Sequence, residues 1–191
     1  MFISPSEGMV ANRISRLHIR TAGERDLNKL IEYFGTLSRS SRYNRFMEPV
    51  SNVSKLAFEY LVLNRRPDRF TLIAELQQHG RDAVIGEATY AVESETGLGQ
   101  FAVSVSHAWH GRGLGSALLS ALQSRAISLE NYGLFGEILK TNEPMKALAQ
   151  KAGFAFARSR DWRAIRVEKQ LLEQQCVVTS ARETAIDLIG N

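Results

Sequence analysis

The sequence predicts an α+β domain built on a mixed sheet, and three observations carry that reading. Apolar residues alternate through Phe70 to Leu76, Ala83 to Val92 and Gln100 to Ser106, with short turns at Gly80–Asp82 and Gly97–Gly99 between them. This is the pattern of an antiparallel meander. The period then becomes helical: Leu114, Leu118, Leu122, Ala126 and Leu129 form one stripe, reinforced by Ala117 and Leu119. Another apolar run, Leu134 to Leu139, follows, so a strand–helix–strand unit sits at the centre.

Each element has its own warrant. Leu17, Ile19 and Thr21 alternate with polar neighbours and read as a first strand. Leu27, Leu30, Ile31 and Phe34 recur at helical spacing behind the acidic start Glu24 and Asp26. Ser38 to Phe46 is polar and without a period, which predicts a loop. Ser51 suits an N-cap for a second helix through Val53, Leu56, Ala57, Tyr60 and Leu61. In the meander, Phe70, Leu72 and Ala74 oppose Thr71, Ile73 and Glu75, Glu87 is placed on the face of Ile85 and Thr89, and Phe101, Val103 and Val105 share a face. Gly133 is the expected stop of the central helix. Asn142 opens a further helix with Met145, Leu148 and Ala152, closed by Gly153. Phe154 to Ala157 and Trp162 to Val167 complete the pattern as two strands. Residues 1–15 read as a flexible arm, 16–168 as the domain, and 169–191 as a tail whose structure the pattern leaves open, as helix, partner-binding segment or disorder.

Composition narrows the classes of function. The 191 residues are 44% hydrophobic and 23% charged, enough apolar material for one buried core. No apolar run reaches the roughly 20 residues of a membrane span, and Pro5, Glu7 and Gly8 interrupt what a signal peptide would need as a continuous apolar stretch. A soluble cytoplasmic protein without a membrane partner is the expectation. The single cysteine, Cys176, excludes an internal disulfide and a cysteine-based zinc site, and reads as an incidental tail thiol rather than a nucleophile. His18, His79, His107 and His110 are scattered without metal-ligand spacing, so no metal is expected. The net charge of +4 suits an anionic ligand. Arg39, Arg42, Arg45, Arg65, Arg66 and Arg69 crowd the first third, but without the aromatic interleaving of an RNA module, and nucleic acid is not an expected partner.

One segment carries chemistry. A strand ending near Ser106 runs into His110-Gly111-Arg112-Gly113-Leu114-Gly115, which opens the central helix. Helix N-termini present unpaired N–H groups and the positive end of the dipole, and glycines let a phosphate approach the backbone. Arg112 adds charge. The spacing is not that of a dinucleotide fingerprint, and no Gly-Lys-Ser/Thr ending makes it a Walker A loop. A pyrophosphate cradle and a packing turn are the two readings the loop allows.

The run from Gln100 through His110-Gly-Arg-Gly-Leu-Gly115-Ser116 resembles the acetyl-CoA motif of the GNAT superfamily of N-acetyltransferases. The helix Asn142-Glu-Pro-Met145 with its ending Gly153-Phe154 is similar to that family's second motif. Ser38 to Phe46 further resembles a segment in the acetyltransferase domain of bacterial protein lysine acetyltransferases. The resemblance implies a GNAT-like sheet with a central acetyl-CoA-binding strand–helix–strand unit, and acetyl-CoA as co-substrate. It implies that Phe101, Val103 and Val105 lie along the pantetheine. His110, Gly111, Arg112, Gly113, Leu114, Gly115 and Ser116 would hold the pyrophosphate, Asn142 would contact the pantetheine arm or the thioester end, and Met145 would also bind the cofactor. Arg42, Tyr43, Arg45 and Phe46 would face the acceptor. The implied reaction is acetyl transfer to a primary amine, protein lysine ahead of a small-molecule amine. A CoA-binding regulatory protein without catalysis is the third reading, and the oligomeric state is open, a homodimer included.

Three positions depart from the family pattern. His110 replaces a glutamine or arginine, Ala149 replaces a tyrosine that serves as proton donor, and Gln100 replaces a glutamate that serves as base. A glutamine amide takes up no proton at neutral pH. The base is therefore elsewhere or absent: the candidates are Glu87 and Glu137, or a water relayed by Gln100 and Ser104, with Gln100 positioning water or substrate, and proximity alone would support slow transfer.

Overall fold

The computed structural model describes residues 16–63, 66–78 and 81–172. The elements are β1 (Arg16–Thr21), α1 (Leu27–Thr36), α2 (Arg39–Phe46), α3 (Val53–Leu63), β2 (Arg69–Gln78), β3 (Arg81–Val92) and β4 (Gly99–Val105). They continue as α4 (Leu114–Ser128), β5 (Gly133–Leu139), α5 (Glu143–Lys151), β6 (Ala155–Arg158) and β7 (Ala164–Gln170). The arm 1–15, the turn residue Gly80, and residues 173–191 with Cys176 lie outside the described residues.

Seven strands form one sheet in the order β1-β2-β3-β4-β5-β7-β6. The alternation of β2, β3 and β4 makes the antiparallel meander, with β1 added at its edge. The crossover α4 brings β5 parallel to β4, paired only at Gly99–Leu134 and Gln100–Phe135. Beyond that point the two strands part, and among the described residues the rest of β4 has no ladder partner on its β5 side. The family of mixed α/β sheets with flanking helices is thus the one the sequence predicts.

Both sheet faces are covered. The stripe Leu114, Leu118, Leu119, Leu122 and Ala126 of α4 is buried, together with Ala149 of α5, on Phe70, Leu72, Ala88, Tyr90 and Phe101. Burial of each such leucine contributes about 1.5–3 kcal/mol. The other face packs Leu30, Tyr33 and Phe34 of α1 and Ala57 and Leu61 of α3 on Ile73 and Val84. Among the described residues no helix is long and apolar enough to cross a membrane.

Several local expectations are corrected. Ser38 to Phe46 is a helix, not a loop: the Ser38 side chain caps it by accepting from Ser41 N–H at 3.0 Å. Its C-terminal Phe46 ring stacks edge-on against Phe34 at 5.5 Å. Gly133 does not stop α4; it begins β5, and the stop is Glu130 in the left-handed region (φ 56°). Glu130 N–H bonds Ile127 and Asn131 N–H bonds Ala126, the paired bonds of a Schellman motif. Gly153 closes α5 in that way, at φ 79°. The last strand starts at Ala164 rather than Trp162, because Asp161 accepts from Arg163 N–H and holds a turn there. Finally, β3 carries a bulge where Ala74 pairs with Gly86 and Glu75 with Val84. The extra residue Ile85 turns to the α4 face, so Glu87 shares a face with Thr89 and not with Ile85.

Candidate active site

Two cavities lie along β4 where it parts from β5; Arg45 lines both, and Glu137 of β5 lines the second. The first, of about 620 Å³, is lined by Val103, Ser104 and Val105 of β4, by the His110–Ser116 turn and by α5. Gly111 and Gly113 have φ of 71° and 81°, a conformation glycine adopts without strain. Gly113 is the N-cap of α4 and has no side chain to satisfy its first-turn N–H groups, which therefore remain available to a ligand. Among the described residues no carboxylate lines this cavity, while Lys151 and Arg45 do. Uncapped N–H groups, the helix dipole and an acid-free wall fit a pyrophosphate. The unpaired backbone of β4 fits the amides of an extended arm, which need main-chain partners once buried.

Ten of the expected cofactor residues line this cavity: Val103, Val105, His110, Gly111, Gly113, Leu114, Gly115, Ser116, Asn142 and Met145. Two do not. The ring of Phe101 is buried against Phe154 at 4.9 Å, because its position in β4 points it at the core. The guanidinium of Arg112 lies over the Trp109 ring at 5.1 Å. His110 Nε2 donates to the Val105 carbonyl at 2.9 Å and so ties the turn back to β4. The Asn142 Oδ1 caps α5 by accepting from Met145 N–H. Ala149 is wholly buried in the core, so that position serves packing.

Beneath α2 lies a second cavity, of about 390 Å³. It brings together Gln100, Glu137, Arg45 and Phe46, four of the residues singled out from the sequence, with Thr89 and Arg69. Gln100 is exposed toward it. Glu137 is half-buried, 3.8 Å from Arg166 through Oε1, while its Oε2 is buried without a hydrogen-bond partner. Tyr43 is drawn elsewhere, accepting from Arg163 Nη1 at 2.9 Å, and Arg42 lines neither cavity.

Glu87 is not an exposed strand carboxylate: it is fully buried. Arg45 Nε donates to its Oε1 at 2.6 Å and Nη2 to its Oε2 at 3.1 Å, and Nη2 also reaches Thr89. Ser104 Oγ donates to the same Oε1 at 2.6 Å. Since that hydroxyl has a single proton, the Tyr33 hydroxyl is the donor in its 2.8 Å bond to Ser104. Burial and the Glu87 charge push the Tyr33 hydroxyl well above its ordinary pKa, against the pull of the Ser104 bond, so it stays protonated. The chain Tyr33–Ser104–Glu87–Arg45 locks the wall between the cavities. Tyr33 and Arg69 escaped the sequence reading. Tyr33 belongs to the apolar stripe of α1, and Arg69 merely precedes a strand; its alternation with Thr71 is the one signal that placed it on this face.

Comparison with known proteins accords with this geometry. The GNAT domain of S. lividans PAT is 24% identical over 80% of this chain and 89% of that one, with a TM-score of 0.71. An N-acetyltransferase from Staphylococcus aureus Mu50 is 20% identical over 82% and 99%, at 0.65. YncA from Salmonella typhimurium, solved with its cofactor acetyl-CoA, is 19% identical over 83% and 95%, at 0.63. At these identities the likeness is one of fold. No curated protein matches the sequence significantly. The profile of the acetyltransferase (GNAT) family matches residues 32–154, from the first helix through both motifs. That match spans most of the chain, and the protein therefore belongs to the GNAT family as an acetyl-CoA-dependent acetyltransferase.

Proposed function

We propose that the protein transfers the acetyl group to a primary amine entering through the second cavity, with acetyl-CoA lying along the first. The observation that carries this reading is the parting of β4 and β5 between the two cavities, with a phosphate-suited helix end on one side and an unpartnered carboxylate oxygen on the other. Gly111 to Ser116 would hold the pyrophosphate, Val103 to Val105 the pantetheine, and Asn142 and Met145 the thioester end. Acetyl-CoA supplies the activated acyl group.

An amine is protonated in neutral water and must lose a proton before it attacks. Glu137 lines the second cavity and its Oε2 has no hydrogen-bond partner, which suits that acceptance; Glu87 does not, since Arg45 and Ser104 occupy its oxygens. The amine nitrogen then bonds to the carbonyl carbon, the carbon–sulfur bond breaks, and the thiolate leaves to take up a proton. Gln100 positions the amine or a water, and Glu87 is a positioning residue that holds Arg45 between the cavities. Placing both reactants in one frame makes the attack effectively intramolecular. Protein lysine, which the Ser38–Phe46 resemblance suggests, and a small amine are the two acceptor classes for this chemistry.

Calorimetric titration with acetyl-CoA, followed by thiol release across a panel of amines and lysine peptides, tests the proposal. Micromolar binding and amine-dependent thiol release are expected, with kcat falling about 10²–10⁴-fold in Glu137→Gln. Binding without turnover on any acceptor, or an undiminished kcat in that variant, defeats the assignment. Gln100→Ala with an unchanged rate defeats the role given to Gln100.

A further inference from the structure

We infer that the acceptor carries an anionic group several bonds from its reacting amine, gripped by Arg69 while Glu137 receives the amine. This rests on the acetyl-transfer reading above. Among the described residues, two buried side-chain atoms lack any hydrogen-bond partner: Arg69 Nε and Glu137 Oε2. Both residues line the second cavity. Residues of opposite charge that line one cavity, each with a side-chain atom lacking a hydrogen-bond partner, suit a ligand with the complementary pair of charges.

The register sets their separation. Arg69 pairs with Ala91, Ala91 with Gln100 and Gln100 with Phe135, so these positions form one row across four strands on one face. Glu137 follows Phe135 by two residues and keeps to that face. Three strand spacings put Arg69 and Phe135 about 14 Å apart at the backbone, and the two-residue offset along β5 takes Glu137 to about 16 Å from Arg69. The two side chains thus meet a ligand from opposite ends, with Gln100 and Thr89 between them and Phe46 and Met47 above. The other charged residues lining this cavity are Arg45, already matched by Glu87, and Glu48, while Arg166 lies 3.8 Å from Glu137 Oε1. The arrangement discriminates against a plain alkylamine, which leaves Arg69 unsatisfied, and against a diamine, which brings a second cation to it.

Thiol release from acetyl-CoA is measured with 4-aminobutyrate and 6-aminohexanoate against butylamine and hexylamine, and with a terminally blocked lysine peptide. At least one amino acid is expected to exceed its alkylamine in kcat/KM by about tenfold or more, and Arg69→Gln to bring that ratio close to one. Equal rates for acids and alkylamines, a ratio that survives Arg69→Gln, or a preference for the blocked peptide overturns the inference. The wild-type ratio decides the matter even if Arg69→Gln does not fold. Acetyl-CoA titration of the same preparations separates two kinds of failure. Turnover without preference for the anion defeats this inference alone, whereas loss of binding or of all turnover defeats the acetyl-transfer reading and this inference with it.

Discussion

Replacing Glu87 by glutamine keeps the shape of a buried side chain and removes its charge. Arg45 and Glu87 are 5% and 0% exposed and meet at 2.6 Å, so water cannot take over either role. Glutamine also turns one of the two acceptors facing Arg45 into a donor. Breaking a pair so buried costs about 3–5 kcal/mol, because the partner stays charged and uncompensated. This is a large share of the roughly 5–15 kcal/mol that holds a domain together. For a domain of this size each kcal/mol lowers Tm by about 2–4 °C, which gives a fall of about 6–20 °C. Thermal and urea denaturation followed by circular dichroism measure it. Lys55→Ala, which removes an exposed pair 3.8 Å from Glu59, serves as the control and should change stability by no more than about 0.5 kcal/mol. Arg45→Met combined with Glu87→Leu should regain much of the loss, since both charges leave together. A Tm within about 2 °C of wild type for Glu87→Gln, or a double variant no more stable than the single one, would refute the reasoning.

Three further outcomes follow from the geometry. Gly113→Ala places a Cβ at φ 81°, costs about 1–2 kcal/mol in conformation, and should raise the acetyl-CoA Kd about tenfold by calorimetry; unchanged affinity would remove Gly113 from the cradle. Ser38→Ala deletes the cap on Ser41 N–H and should lower stability by about 1 kcal/mol in urea titration, a loss that a loop without a cap would not show. Hydrogen bonds from Arg20 hold Asp26 below the ordinary carboxylate range; burial pushes Glu75 up, but hydrogen bonds from Arg20 and Lys29 outweigh it and leave Glu75 low as well. Their folded pKa values lie under the unfolded ones, so this stability is present above about pH 4 and is lost as pH falls through the folded values. Acid unfolding of Arg20→Gln should show a shallower fall below that pH, and an identical acid limb would count against the network.

Much of the fold was legible because its causes are local. The alternation of Phe70, Leu72 and Ala74 and the stripe Leu114, Leu118, Leu122 and Ala126 follow the periods of strand and helix, and both ended in the core. Gly153 announced the end of α5 because a left-handed C′ position favours glycine. Other features had no local sign. Ser38 to Phe46 is helical without an apolar period, since Phe46 leans on Phe34 and Arg45 on Glu87, partners distant in the chain. Glu130 took the left-handed turn expected of Gly133, and a bulge moved Ile85 off the face of Glu87. A one-residue insertion into a ladder follows from strand pairing, which the alternation of a single strand does not encode.

By itself, then, the sequence determined the order of elements apart from α2, and the His110–Gly115 turn, and with the Asn142–Phe154 helix it pointed to acetyl-CoA. Periods, caps and glycine conformations act between near neighbours along the chain. The burial of Glu87 by Arg45, the row that sets Arg69, Gln100 and Glu137 on one face, and the opening between β4 and β5 were decided only in three dimensions. Each depends on strand register and on side chains far apart in sequence, and whether a carboxylate is paired or left unpartnered depends on what the fold brings to it.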